Sequence, residues 1–341
     1  MNNYSIFLSL SEDFIGNYLS NGKGLSLNTI KSYKYAFRLL IEFMYKQKGI
    51  DANKIQFSNL DYNTLLSFFD WIVSVRKCST KTRNQRLAAL MSFSEYAQNR
   101  NFDAASVFRN SIIKIPFKKT KSECRSWFDT DEIKIILNLP NEYTAIGLRD
   151  KVLLCIMYAT GARAQEICDL TVSSIRFSTN NTTIDIQGKG NKYRRVKISE
   201  YASKILKNYI TKLHIEHTPN KHIFSSQTHE KMSVSCIEEI VRKYIKKAKQ
   251  QFPNKFLMKS YHPHSFRHTT ATHMLEAGVP IMVIKSFLGH SSIQTTQVYA
   301  ELTQNTVNKY VSEWNEKWFN DYPTLPEQNT SNNNIPSFLN I

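Results

Sequence analysis

The spacing of apolar residues predicts that the first hundred residues fold as helices. Residues 30–44 place apolar side chains three and four positions apart, which is one face of an amphipathic helix. Asn28 is predicted to cap this helix, and Gly49 lies beyond its end. A second helix, about 64–75, is apolar around most of its circumference and is expected at the centre of a bundle, and a third follows at about 79–99.

The apolar pattern weakens after residue 102, where basic residues and a proline accumulate, and we predict an interdomain linker at 106–126. Asp129 is predicted to cap the first helix of the next domain, with Glu132 completing a capping box. Farther along, apolar periodicity predicts a buried helix that stops at Gly161.

The rest of the chain alternates helices with a short β-region. Two β-prone segments flank residues 188–191, a Gly-Lys-Gly-Asn sequence that is typical of a hairpin. Further helices are predicted at about 200–213, 233–251, 265–277, 281–288 and 303–319. The predicted organisation is a helical domain at 1–105, the linker at 106–126, a mixed α/β domain at 127–320 and a flexible C-terminal tail at 321–341.

The charge balance points to a polyanionic partner. The formal net charge of the 341 residues is +17, with 45 Lys and Arg against 28 Asp and Glu, and nucleic acid is the usual partner of such a surplus. Basic and amide side chains gather at the start of the third helix, along the linker and on a later helix. Each can be a DNA contact or part of a solvated face, and the candidates are Lys81, Arg83, Asn84, Arg86, Lys118, Lys119, Lys121 and Arg242.

Cysteine spacing and hydropathy exclude other classes of protein. The five cysteines are widely spaced, with no Cys-x-x-Cys or Cys/His cluster, so we expect reduced thiols and no metal site. The N-terminus lacks a signal-peptide pattern, and no apolar run approaches the ~20 residues that span a bilayer. We therefore expect a cytoplasmic protein without a membrane partner.

Four short motifs carry the chemistry. His264 and Arg267 are three residues apart in YHPHSFRHTTATHML, so on a helix that begins there they share one face near its N-terminus, where an anion is attracted. The other three are YATGARAQEICDL, QGKGNKYRR and FLGHSSIQTTQVYAEL. Cleavage of a phosphodiester needs a nucleophile, a proton donor and positive charge. Here Arg, Lys and His, rather than clustered carboxylates, offer that charge.

The order of these motifs resembles that of the tyrosine recombinase, or phage integrase, family, in its compact Xer-type form. The T-G-x-R-x-x-E, G-K-G-N-K, H-x-x-R-H and L-G-H-S-S…T-T-x-x-Y boxes occur in family order over about residues 127–302. The helical N-terminal part is similar to the core-binding domain of the family. The resemblance implies a mainly α fold with a small β-region: a SAM-like helical DNA-binding domain followed by a mixed α/β catalytic domain.

The resemblance assigns four residues to the phosphate. Arg163 and Arg267 would hold the non-bridging oxygens of the scissile phosphate, a task that suits the planar guanidinium group. His264 would hydrogen-bond the phosphate and assist proton transfer at the nucleophile, and His290 would contact the phosphate and support the site.

The same resemblance assigns the nucleophile and the proton donor. Tyr299 would attack to give a 3′-phosphotyrosyl link, Lys189 would protonate the departing 5′ oxygen, and Glu166 would orient a catalytic side chain. Lys192 lies on the same hairpin as Lys189 and is the alternative proton donor. No metal or other cofactor is expected.

The family implies double-stranded DNA core sites as substrate, two subunits on each site and four in the synapse, with exchange through a Holliday junction. A partner recombinase or an accessory DNA-bending protein is left open as a further partner. Within the class we favour the integrase of a mobile element, with an Xer-type chromosome or plasmid dimer resolvase as the alternative. A type IB topoisomerase and a non-catalytic DNA-binding regulator are the remaining alternatives.

Overall fold

The computed structural model describes residues 5–120, 126–178, 181–188 and 192–290. The chain forms two compact units, one up to Glu123 and one from Cys124 onwards. The predicted helix at 303–319 and the predicted tail at 321–341 lie outside the described residues. No helix in the described ranges is long and apolar enough to cross a membrane.

The first unit is helical throughout most of its described residues. Two short 3₁₀ turns, Ala52–Lys54 and Phe57–Asn59, lie between its second and third α-helices. The helices are α1 (Ile6–Asp13), a π-helical segment (Phe14–Gly22), α2 (Leu27–Lys48), α3 (Tyr62–Ser74), α4 (Thr80–Arg100) and α5 (Phe102–Ile112). The helices predicted at 64–75 and 79–99 are thereby confirmed within two residues at either end.

Aromatic side chains fill the core of this unit. Phe93 of α4 is fully buried, and its ring centroid lies 4.9 Å from that of Phe37 and 5.3 Å from that of Phe14. Aromatic residues bury large areas and pack edge to face, so one such cluster can join several helices.

The cap of α2 differs from the prediction. Ser26, not Asn28, caps the helix, because its extended backbone lets its Oγ accept the N–H of Thr29 at 3.4 Å. Asn28 is already inside the helix. The stop at Gly49 is confirmed, with the glycine in the left-handed conformation (φ 66°).

The predicted linker begins too early. Residues 106–112 belong to α5, which is capped by Asn101 through the N–H of Ala104. Ala105, Phe108 and Ile112 are fully buried against the rest of the unit. The prediction of a linker is therefore wrong for residues 106–112, because three well-spaced apolar side chains are enough to dock a short helix that the surrounding polar sequence conceals.

The second unit has seven α-helices and one small sheet within its described residues. The strands β1 (Ile175–Arg176), β2 (Thr183–Gln187) and β3 (Tyr193–Lys197) pair antiparallel in the order β1-β2-β3. The helices are α6 (Thr130–Asn138), α7 (Ala145–Thr160), α8 (Ala164–Cys168), α9 (Glu200–Lys212), α10 (Val234–Gln251), α11 (Pro263–Glu276) and α12 (Ile281–Leu288). The expected mainly α fold with a small β-region is confirmed.

Helix α7 is the centre of this unit, with most of its side chains buried. Its buried carboxylate, Asp150, accepts hydrogen bonds from Arg149 (2.8 Å), Lys243 (2.9 Å) and Tyr244 (3.0 Å), which joins α7 to α10. At the start of α6, Asp129 and Glu132 form the predicted capping box. The contacts of Asp150 hold α7 against α10, and the candidate site lies at the C-terminal end of α7.

Candidate active site

A sharp turn after α7 presents Arg163. Gly161 adopts the left-handed conformation (φ 57°), and the chain turns so that Arg163 precedes the first residue of α8. The Oε1 of Glu166 accepts a hydrogen bond from Arg163 Nη1 at 2.8 Å, and its Oε2 accepts one from the Arg163 backbone N–H at 2.9 Å. The Arg163 side chain keeps 34% of its surface exposed, while Glu166 is buried. Glu166 therefore holds both the backbone and the side chain of Arg163.

Arg267 joins two other segments to this turn. It lies on α11 and is only 2% exposed. Its Nη1 donates to the carbonyl of Gly161 at 2.8 Å, and its Nη2 donates to the carbonyl of Leu288 at 2.7 Å. These two carbonyls end α7 and α12, so one guanidinium fixes the meeting point of three of the sequence motifs.

His264 lies in the first turn of α11, one helical turn before Arg267. Loss of water from its ring, together with the positive charges of His262, Arg267 and Arg163, lowers the pKa of His264 below the usual value, and Glu166 opposes this. The imidazole is therefore neutral near pH 7 and is able to accept a proton.

An open cavity of about 650 Å³ joins Arg163 to His290. None of the described side chains that line it is acidic. Its polar and charged lining consists of Arg163, Lys192, Tyr193, Arg194, Lys285, Ser286 and His290. A cavity lined in this way attracts a phosphate group.

Sequence reasoning did not single out Arg194. The side chain is 10% exposed, and its Nη2 donates to Glu166 Oε2 at 2.7 Å. A period-two pattern places Arg194 on the same face of β3 as buried Val196, whereas Arg195 lies on the exposed face and pairs with Asp185. This alternation of inward-facing and exposed residues along β3 is the feature of the sequence that distinguishes Arg194 from Arg195.

Two predicted catalytic residues, Lys189 and Tyr299, lie outside the described residues. Lys192, the alternative lysine on the hairpin, is described and lines the cavity. In the described ranges, no group of three or more His, Cys, Asp or Glu side chains is placed to hold a metal ion.

The predicted DNA contact of Arg83 is wrong. The side chain is 1% exposed, its Nη1 donates to the Pro116 carbonyl at 2.6 Å, and its guanidinium stacks 4.7 Å from the centroid of Phe69. A group so enclosed cannot reach a phosphate. It holds the start of the segment that leaves the first unit.

Two neighbours of Arg83 also make internal contacts. Asn84 donates to the Lys118 carbonyl at 2.7 Å and accepts the Lys118 N–H at 3.1 Å. Arg86 donates to the carbonyl of Ser32 at 2.8 Å. The remaining candidates in the described ranges are exposed at the surface, and they are Lys81, Lys118, Lys119 and Arg242. Lys121 lies outside the described residues.

Two family models match the chain. The phage integrase family matches residues 126–306, and the phage integrase SAM-like domain matches residues 7–112. A protein of Anoxybacillus flavithermus named tyrosine recombinase XerC is 28% identical to this chain, over 84% of this chain and 91% of its own length.

Solved structures share the fold. The XerH site-specific recombinase bound to a palindromic difH substrate superposes with a TM-score of 0.67 at 20% identity, covering 86% of this chain and 81% of its own. The integrase of the Tn1549 transposon in complex with a circular intermediate DNA superposes with a TM-score of 0.69 at 16% identity, covering 90% of this chain and 98% of its own.

Proposed function

The chain belongs to the phage integrase family, whose model spans more than half of its residues, and from this premise we propose that it is a site-specific tyrosine recombinase that cuts and rejoins duplex DNA. The observation that carries the proposal is that three separate sequence motifs meet at one place. Arg163 and His290 line one cationic cavity. Arg267, which lies one helical turn after His264, donates to the carbonyls of Gly161 and Leu288 beside these two residues.

Arg163 and Arg267 contribute differently to phosphate binding. Arg163 has the more exposed guanidinium and is the principal contact for a non-bridging oxygen. Arg267 commits two of the five N–H donors of its guanidinium to backbone carbonyls, which fixes the plane of the group. This preorganisation is what electrostatic stabilisation of a pentavalent phosphorus requires, since no donor has to reorient during the reaction.

The cleavage step exchanges one phosphodiester for another, so the number of phosphodiesters does not change. The Oη of Tyr299 attacks phosphorus, a bond forms between them, and the bond from phosphorus to the 5′ oxygen breaks. Neutral His264 accepts the tyrosine proton, and Lys189 supplies a proton to the 5′ oxygen. The 5′ hydroxyl of a second strand reverses the step and rejoins the DNA. The cationic side chains supply the positive charge, so we propose that the reaction needs neither a metal ion nor a nucleotide.

We assign DNA contact outside the cavity to exposed lysine and arginine side chains of both units, among them Lys81, Lys119 and Arg242. Two copies on one site and four in a synapse would place the cleaved ends of two duplexes within reach of exchange. The DNA-bound recombinase and integrase structures that share the fold support duplex DNA as the substrate.

Covalent capture tests the proposal and identifies the target sequence in the same experiment. Purified protein is incubated in EDTA with fragmented genomic DNA of its source, the mixture is denatured, and DNA bonded to protein is recovered and sequenced. We expect one short sequence to be enriched by wild type and absent with Tyr299→Phe. Equal recovery with both proteins contradicts Tyr299 as the nucleophile, and recovery only with Mg²⁺ contradicts the metal-free mechanism.

The captured sequences also separate two biological roles. We favour the integrase of a mobile element, which predicts sites at the two ends of one insertion and at their circular junction. The relative named XerC favours an Xer-type dimer resolvase, which predicts a single chromosomal or plasmid site that borders no insertion.

A further inference from the structure

Arg194 connects the hairpin strand to the phosphate-binding arginine. Its position on β3 pairs with Ile186 of β2, and its side chain crosses to Glu166, the carboxylate that also holds Arg163. The Nε of Arg194 is buried without a hydrogen-bond partner among the described residues. A buried guanidinium is costly unless it is paired, and the ion pair with Glu166 provides that pairing for Arg194.

The backbone is shaped to admit this side chain. Gly289, with φ 66°, lies directly against it, and a Cβ there would be 3.2 Å from Arg194 Cδ and 3.3 Å from Nη1. The absence of a side chain at Gly289 therefore leaves room for Arg194.

The sharing of one carboxylate has an electrostatic consequence. Arg163 paired with Glu166 alone would be a neutral ion pair, with little charge left for an incoming phosphate. Because Arg194 takes the second oxygen of Glu166, the three groups together carry one net positive charge. That charge lies beside the more exposed guanidinium, Arg163, on the wall of the cavity.

We propose that Arg194 is a positioning residue of DNA cleavage: by sharing the Glu166 carboxylate, it leaves Arg163 oriented and positively charged toward the scissile phosphate. The inference rests on the proposed function and deepens it. It differs from a purely structural role, in which Arg194 only ties β3 to α8, and from a role in holding the proton donor of the hairpin. Chemical changes at the scissile linkage of the substrate distinguish these three roles.

Single-turnover cleavage of a nicked suicide duplex that carries the captured site tests the proposal in the full chain. Arg194→Met is compared with Arg195→Met, which removes the same charge from the next residue of the strand, where it faces solvent and pairs with Asp185. We expect Arg194→Met to cleave about 100-fold more slowly than wild type, the scale of losing a preorganised donor, and Arg195→Met to cleave at the wild-type rate at saturating protein.

Two modified scissile linkages locate the defect. A methylphosphonate lacks one charged oxygen, so it needs less positive charge, and it should shrink the Arg194→Met defect at least tenfold. A 5′-bridging phosphorothiolate has a leaving group that needs no proton. It should therefore restore the cleavage rate of Lys189→Met but not that of Arg194→Met. Arg194→Lys, which keeps the charge, should cleave faster than Arg194→Met on the normal phosphate.

Each other result decides against some part of this proposal. Wild-type cleavage by Arg194→Met, or a defect that is the same on all three linkages, overturns the inference in favour of a structural role. Relief by the phosphorothiolate overturns it in favour of a role at the proton donor. If Arg194→Met does not fold, the cleavage rate of Arg194→Lys is used instead. A folded Arg194→Lys that cleaves no faster than an Arg163→Met variant contradicts charge sharing. A wild type that cleaves no phosphate duplex refutes the proposed function and this inference with it.

Discussion

Replacing Gly161 by alanine should damage the site through Arg267 without touching a catalytic side chain. Gly161 has φ 57°, and its carbonyl accepts one of the two backbone-directed hydrogen bonds of the Arg267 guanidinium. An added Cβ would lie 2.6 Å from Leu288 Cδ2, and the carbonyl of Leu288 accepts the other bond. One methyl group therefore disturbs both anchors.

The magnitude follows from two contributions. A left-handed backbone at a residue with a Cβ costs about 1–2 kcal/mol. Leu288 is fully buried and must shift within a packed core, and overpacking of this kind costs about 1–3 kcal/mol. The free energy of unfolding should fall by about 2–5 kcal/mol in total. A misplacement of the guanidinium by about 1 Å should lower the cleavage rate on the order of 100-fold.

Gly49→Ala is the matched control. Gly49 also ends a helix in the left-handed conformation, with φ 66°, but nothing lies within 4 Å of its Cβ position. It should lose only the backbone contribution and should cleave DNA at the wild-type rate. Urea unfolding and single-turnover cleavage, at a temperature where both variants are folded, compare the two. A folded Gly161→Ala that cleaves as fast as Gly49→Ala would show that the Gly161 turn does not hold Arg267 in its working position.

Three further substitutions test other parts of the molecule. Arg83→Met should lower the stability of the first unit by about 1–3 kcal/mol, because the Pro116 carbonyl loses its donor. It should leave unchanged the slope of log Kd for DNA against the logarithm of the salt concentration, whereas a slope reduced by about one would show that Arg83 contacts a phosphate after all. Asp150→Asn should cost about 3–5 kcal/mol in urea unfolding, since Arg149 and Lys243 lose their shared anion, and a loss below about 1 kcal/mol would contradict that role. The lowered pKa of His264 keeps it neutral at pH 7, so the cleavage rate should fall only as the pH drops below about 6.5, the ordinary pKa of histidine. If the cleavage rate of His264→Gln falls at low pH in the same way as that of wild type, the fall is due to another group.

The sequence predicts the site where local spacing determines geometry. His264 and Arg267 share a helix face because they are three residues apart, and Glu166 contacts Arg163 for the same reason. Gly49 and Gly161 end their helices because each supplies the left-handed residue that the turn requires.

The sequence predicts less where distant residues determine the environment. Arg83 looks like a surface charge until the chain brings Phe69 and Pro116 against it, and Pro116 is 33 positions farther along. Arg194 gains its importance from Glu166, which is 28 positions away. Helix α5 is short, and its three buried side chains are recognisable only once the rest of the core is present.

The central claim is that Tyr299 forms a covalent bond to DNA without a metal ion, and a nicked suicide duplex carrying the captured site tests it most directly. Wild type and Tyr299→Phe are incubated with it in EDTA, and the adduct is digested and its peptide sequenced. We predict a 3′-phosphotyrosyl peptide containing Tyr299, a released strand with a free 5′ hydroxyl, and no adduct from the variant. An adduct that survives in Tyr299→Phe, or one that forms only when a divalent metal is added, would contradict the claim.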